Sequence, residues 1–228
     1  MAAIQAMGRV WCVATGGRAS GRPGPPRDRR AGDGVLRLGI LGGTFDPVHH
    51  AHLILGEQAS EQLELERVLF VPAGQPWRKA GRQIAPAEDR LAMLRLATED
   101  NPTFEVSDVE LDRAGPTYTV DTLASLKERH AGAELFFIMG QDALSDLPNW
   151  HDPARIAQLA TLAVAAREGD DVLELPATIG ASVERLEMAT IAISGSDIRK
   201  RVAAGRSIRY LVPPVVEAYI RDHALYRY

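Results

Sequence analysis

The run "GGTFDPVHHAHL", Gly42 to Leu53, sets two glycines, a hydroxyl and three imidazoles around a proline within a dozen positions. Gly42 and Gly43 lack side chains, so a ligand can approach the main chain closely there. Thr44 adds a hydroxyl, and a helix beginning near His50 would present free N–H groups that favour an anion. His49 and His52 stand three apart, a spacing that puts both on one face of a first helical turn. Imidazolium groups so placed could bind the charge that develops on a phosphoryl group in transfer. The residues describe a phosphate cradle. It is not a dinucleotide fingerprint, because G-x-G-x-x-G is absent, nor a P-loop, because G-x-x-x-x-G-K-[ST] is absent. Two other uses stay open on the residues alone. One is a metal site, although no acidic residue or cysteine follows at a zinc-binding distance; the other is a helix start without chemistry.

Such residues need elements to position them. "VLRLGIL" (Val35–Leu41) reads as a buried strand ended by Gly42-Gly43, followed by a helix over "HAHLILGEQASEQLEL". "RVLFVPA" (Arg67–Ala73) is a second strand, "GQPWRKAGRQIA" a polar loop, and "PAEDRLAMLRLATED" a helix with Pro86 near its start and acids in its first turn. "FEVSDVEL" alternates as a strand, and "TVDTLASLKERHAG" is a helix stopped at Gly132. "ELFFIMG", "TLAVAAR" and "VERLEMA" read as strands, and "SGSDIRKRVAAG" and "VPPVVEAYIRDHALY" as helices. Strands separated by helices imply right-handed crossovers. The expected fold is therefore a single α/β domain, a Rossmann-like doubly wound parallel sheet with helices on both faces. Ligands of such sheets collect outside the carboxyl ends of the strands, where the strand order switches. The residues expected there are Gly42–His52, Gly74–Lys79, Gly140–Asp142 and Arg167.

The bulk properties narrow the classes. A chain of 228 residues has room for one α/β domain or two very small ones. A formal charge of −4 and a pI near 5.9 argue against a dedicated nucleic-acid binder. No apolar run approaches bilayer length, so no membrane span is expected. The single cysteine, Cys12, excludes an intramolecular disulfide and a Cys-rich zinc site, and fits a reducing cytoplasm. Residues 1–34 carry Arg9, Arg18, Arg22, Arg27, Arg29 and Arg30 against Asp28 and Asp33, within sequence dense in Gly and Pro. They read as a disordered tail, or as a start site placed too early, and the domain is expected over 35–228.

The first motif resembles the signature of the nucleotidyltransferase superfamily that carries H-x-G-H or T-x-G-H after its first strand. Taken with "GPTYTVDTL", "FIMGQDAL", "NWHDP" and "ISGSDIRK", it is similar to the bacterial nicotinate mononucleotide adenylyltransferases, from about Leu38 to Tyr226. Four positions depart from that pattern. Ala51 stands where Gly is usual, and Gly195 replaces a serine, which removes a hydroxyl from the second phosphate motif. Trp150-His151 stands where Trp-Tyr is frequent, and Arg167-Glu168-Gly169 where R-P-G is usual.

The resemblance implies transfer of AMP from ATP to nicotinate mononucleotide, giving deamido-NAD and pyrophosphate in NAD biosynthesis. The alternatives are a related transferase acting on NMN or phosphopantetheine, and a nucleotide-binding module without chemistry. His49, His52 and Arg199 would be the catalytic groups, the two histidines bracketing the triphosphate. Gly42, Gly43, Thr44, Phe45, Gly140, Asp142, Arg167, Ser194 and Ser196 would bind ATP: the serines at a helix start, Asp142 at the ribose, Arg167 at the adenine. Taken alone, Ser194 and Arg199 read as a helix cap and a solvated cation, and Asp142 as a turn residue. For nicotinate mononucleotide, Trp150 would be the stacking platform and Thr119 would meet the carboxylate, with Lys79 adding charge. A core position is the other use of Trp150, and Tyr118 reads as core. Magnesium would be held mainly by phosphates and water, with Asp46 as an outer-sphere partner and no protein metal site. The expected partners are the two nucleotides; association with a second copy of the chain stays open.

Overall fold

Six runs of aliphatic sequence pair as strands: β1 Arg37–Gly43, β2 Arg67–Pro72, β3 Phe104–Val106, β4 Glu134–Gly140, β5 Thr161–Arg167 and β6 Val183–Met188. In the computed structural model they make one parallel sheet in the order β3-β2-β1-β4-β5-β6. The structure describes residues 34–74, 84–113, 115–167, 175–188 and 191–227. Apart from Gly34, the tail expected over 1–34 lies outside them, as does Lys79. Val35–Tyr228 forms one compact unit. Among the described residues no helix is long and apolar enough to cross a membrane.

Five α-helices lie between strands among the described residues, α1 His50–Gln62, α2 Ala87–Thr98, α3 Thr119–Arg129, α4 Gln141–Asp146 and α5 Pro153–Leu159, and two follow β6, α6 Gly195–Ala203 and α7 Pro214–Asp222. Side chains alternate across a strand, and each face of this sheet is covered. Leu38, Ile40, Phe137, Met139 and Val164 pack on one face with Leu123 of α3, Leu144 of α4 and Ile156 of α5. Leu41, Phe70, Phe136 and Ile138 pack on the other with Ala59 of α1, Met93 of α2, Ile198 of α6 and Val216 of α7. Burial on both faces explains the unbroken apolar runs of β1 and β4. The doubly wound fold expected from the alternating pattern is present, and its strand order switches between β1 and β4.

Three local differences have physical causes. β1 runs to Gly43, so both glycines are its last residues, opposite Val71 and Pro72 of β2. The strand expected over "FEVSDVEL" stops at Val106, because the chain turns with Leu111 N–H donating to the Asp108 carbonyl at 2.8 Å. The short helices α4 and α5 were not expected. For α5 a signal was present: Asp152 caps it by accepting the Arg155 N–H at 3.1 Å, and Pro153 opens it.

Candidate active site

The chain leaves β1 at the switch point and enters α1 through a compact turn. Phe45 takes a left-handed backbone, φ 48°, and buries its ring with 1% exposure. That ring stands edge-on to His52 at 4.9 Å and lies 5.9 Å from Phe70. Only the main chain of Phe45 is therefore left for a ligand. His49 is the N-cap of α1, and its N–H donates to Nδ1 of His52 at 3.2 Å. An accepting Nδ1 places the proton of a neutral His52 ring on Nε2. The two rings stack with centroids 3.7 Å apart and planes 22° from parallel. No ligand fits between them, so they meet a substrate from one side rather than bracketing it. Ala51, where the resembling motif has glycine, is an ordinary helical residue of α1.

Burial, and then the charge of His50, lower the His49 pKa from 6.5 to about 4. Burial thus disfavours the imidazolium form of His49 in the ligand-free protein, against the expectation of two imidazolium groups. This has a measurable sign. Above pH 6.5 the ring is neutral in folded and unfolded chains alike. As the pH falls from there, the unfolded chain takes up a proton that the folded site refuses until about pH 4. Stability should drop across that window by up to about 3 kcal/mol. Urea unfolding of His49→Gln from pH 7 to 4 should lack this component, so the variant loses less stability than the wild type. Parallel curves for the two proteins would show that burial does not hold this ring neutral.

α6 meets the same turn from the other side. Arg199 NH1 donates to the Asp46 carbonyl at 2.6 Å and lies 3.3 Å from the Asp46 carboxylate; its NH2 donates to the Ser196 hydroxyl at 3.3 Å. Ser194 caps the helix by accepting the Asp197 N–H at 3.1 Å, which leaves its own hydroxyl proton to donate. A Cβ on Gly195 would lie 2.7 Å from the Asp46 carbonyl oxygen. The missing serine at 195 thus lets α6 approach the turn closely enough for Arg199 to reach it. Asp46 is 6% exposed, and its Oδ1 also accepts from the Tyr226 hydroxyl at 2.8 Å and from the Ala85 N–H at 3.2 Å. With both oxygens engaged, Asp46 does not fit the outer-sphere magnesium role. Among the described residues no three His, Cys, Asp or Glu side chains gather into a metal site.

On the opposite face of the sheet lies a cavity of about 220 Å³ that brings together Gly42, Gly43, Thr44, Thr119 and Trp150. Trp150 is half-buried: its indole N–H donates to Asp146 Oδ2 at 3.1 Å, and its ring stands edge-on to Phe137 at 6.1 Å. That hydrogen bond fixes the ring while leaving it part of the cavity wall. Tyr118, read from the sequence as core, also lines the wall, its ring 4.6 Å from that of His151 and tilted by 31°. Gly140 ends β4 beside the switch point, and a Cβ there would meet nothing within 4 Å. Asp142 is exposed on the first turn of α4. Neither residue lines the cavity. Arg167 ends β5, but its side chain lies outside the described residues.

Three charged or hydroxyl groups of this site escaped the sequence reading. Arg90 of α2 is 2% exposed and donates to three carbonyls: Thr44 at 2.8 Å, Ala85 at 3.1 Å and Gly74 at 3.4 Å. Burial lowers its pKa, against the opposing pull of Asp46, Tyr226 and Glu110. Glu110, in the cavity wall, accepts from the Thr122 hydroxyl at 2.8 Å and the Gly74 N–H at 3.4 Å. Nothing in the local pattern marks these side chains, because their partners come from other elements.

A glycine strand end at a switch point, flanked by a histidine pair and an arginine on a facing helix, is the architecture of an α/β nucleotidyltransferase. Comparison with known proteins narrows this class. The cytidylyltransferase-like family model matches residues 40–201. A probable nicotinate-nucleotide adenylyltransferase of Thermomicrobium roseum is 55% identical over 198 residues, covering 85% of this chain and 92% of that protein. One from Corynebacterium kroppenstedtii is 49% identical over 191 residues, covering 83% and 90%. Among solved structures, the nicotinic acid mononucleotide adenylyltransferase of Plasmodium falciparum complexed with NaAD shares the fold, with a TM-score of 0.69 at 19% identity. It matches over 84% of this chain and 97% of its own. The chain belongs to the cytidylyltransferase-like family and, within it, to the nicotinate-nucleotide adenylyltransferases.

Proposed function

We propose that the protein transfers AMP from ATP to nicotinate mononucleotide, forming deamido-NAD and releasing pyrophosphate. A 5′-phosphate oxygen of the mononucleotide attacks the α-phosphorus of ATP. The bond to the α–β bridging oxygen breaks, and pyrophosphate leaves with that electron pair. A phosphate monoester is already an anion at neutral pH, so no general base is required. Catalysis is then positioning plus stabilisation of charge on the transferring group.

One observation carries this reading: Gly42 to Thr44 lie in the wall of an aromatic cavity, and the chain runs from them directly into the stacked histidines. The cavity takes the pyridine ring against Trp150, while Thr119 and the start of α3 offer donors to its carboxylate. The polyphosphate of ATP lies over the start of α1, within reach of the His52 Nε2 proton and His49. Arg199, Ser194 and Ser196 take the leaving pyrophosphate from the α6 side. Gly140, with open space where a Cβ would stand, admits the adenosine ribose, and Asp142 accepts from its hydroxyls. Magnesium would be held by the phosphates and water, since the described side chains build no site for it.

The test is pyrophosphate release with ATP and, in turn, nicotinate mononucleotide, NMN and phosphopantetheine. Turnover should be fastest with the nicotinate compound. A pocket of donors arranged for a carboxylate loses its partner when an amide takes that position, and a discrimination of at least about 100-fold is expected. Equal kcat/KM for the acid and amide forms would remove the assignment of Thr119, and turnover of phosphopantetheine alone would remove the function.

A further inference from the structure

Tyr226 lies 180 positions from Asp46 in sequence, yet its hydroxyl donates to Asp46 Oδ1 at 2.8 Å. The ring is 2% exposed, packed with Phe45, Val48 and Ile220 in the same core. Packing alone would be served as well by phenylalanine. The residue also takes a left-handed backbone, φ 62°, which is uncommon for an aromatic side chain. A buried hydroxyl held in that way calls for a reason.

The reason lies in the two oxygens of Asp46. Oδ1 is held by two donors from separate segments, the Tyr226 hydroxyl and the Ala85 N–H at 3.2 Å. Two donors on one oxygen fix the plane of the carboxylate, and the fixed plane aims Oδ2 at Arg199 NH1, 3.3 Å away. The same NH1 donates to the Asp46 main-chain carbonyl at 2.6 Å. Arg199 is thus oriented by a residue that is itself oriented from the C-terminal segment. We propose that Tyr226 is a positioning residue for the phosphate clamp: through Asp46 it sets the guanidinium of Arg199. This rests on the reading of Arg199 as the group that meets the leaving pyrophosphate.

A double-mutant cycle on the full chain tests it, with steady-state pyrophosphate release and Tm measured for wild type, Tyr226→Phe, Arg199→Ala and the double variant. Tyr226→Phe keeps the ring and removes one hydrogen bond. It should lower kcat about tenfold, leave KM for nicotinate mononucleotide within about twofold, and cost less than about twofold once Arg199 is alanine. An equal loss in both backgrounds, or none in the wild type, overturns the proposal. Asp46→Asn supplies a second route, because it keeps an acceptor for Tyr226 but removes the charge facing Arg199. Its kcat loss should likewise vanish in the Arg199→Ala background, and persistence there counts against the proposal. The two readings fail differently. Undiminished kcat in Arg199→Ala itself brings down the clamp and the positioning role together. A damaged Arg199→Ala combined with additive losses brings down only the role of Tyr226.

Discussion

His49→Ala and His52→Ala should each lower kcat by roughly 100- to 1000-fold, the usual loss when one donor to a developing charge is removed from a water-poor site. KM for nicotinate mononucleotide should stay within about twofold, since the cavity proposed for it is lined by neither ring. The double variant should lose little more than the worse single one. The rings are stacked at 3.7 Å and joined through the His49 N–H, so each positions the other. His49 is 5% exposed, so its removal also costs stability, an effect to be told apart from the loss of turnover. Steady-state pyrophosphate release beside thermal unfolding separates the two effects. A fall in kcat below about tenfold for both variants would mean that the triphosphate lies elsewhere.

Arg90→Met should destabilise the protein by about 4 kcal/mol, the sum expected when several buried carbonyls lose a charged donor. For a domain of this size that corresponds to a Tm lower by about 8–16 °C. The methionine fills most of the volume, so the loss reports the three carbonyls, of Thr44, Ala85 and Gly74, rather than a cavity. Asp46 and Glu110 would also lose a neighbouring cation. Lysine should not rescue, because a single ammonium cannot reproduce a planar fork that spans three acceptors. Thr44 lines the cavity proposed for nicotinate mononucleotide, so KM for that substrate should rise alongside. Differential scanning calorimetry is the direct measurement, and a Tm within about 3 °C of wild type would show that the carbonyls find other donors.

The strand–helix alternation was legible because it follows from burial. β4 reads as seven residues dominated by apolar side chains because both its faces are covered, and no other element type suits so short a run between polar ends. The switch-point residues were legible because glycines, histidines and serines cluster in sequence where strands end. Arg90 was not. It is one of several charged residues in an amphipathic helix, and the arrival of Thr44 and Gly74 from elsewhere, beside the local Ala85 carbonyl, makes it the inward one. Asp46 was read as a group facing solvent and metal, because the sequence cannot show that Tyr226 returns to it. Tyr118, read as core, packs against the core on the α3 face, and from the N-cap of α3 it also lines the cavity wall. In each case the missing quantity was long-range proximity, which a local pattern does not encode.

The sheet keeps its two jobs on opposite sides. Stacked imidazoles and the arginine helix belong to the layer of α1, α2, α6 and α7, whereas the cavity proposed for the pyridine ring belongs to that of α3, α4 and α5. The two sides meet at Thr44, just past the first strand, and at Gly74, whose carbonyl accepts from Arg90 and whose N–H donates to Glu110. Acceptor preference can therefore drift by remodelling one wall while the bond-making apparatus stays intact. Anyone wishing to redirect this catalyst to a different mononucleotide should vary residues 117–122 and 150–156 and leave the other half alone.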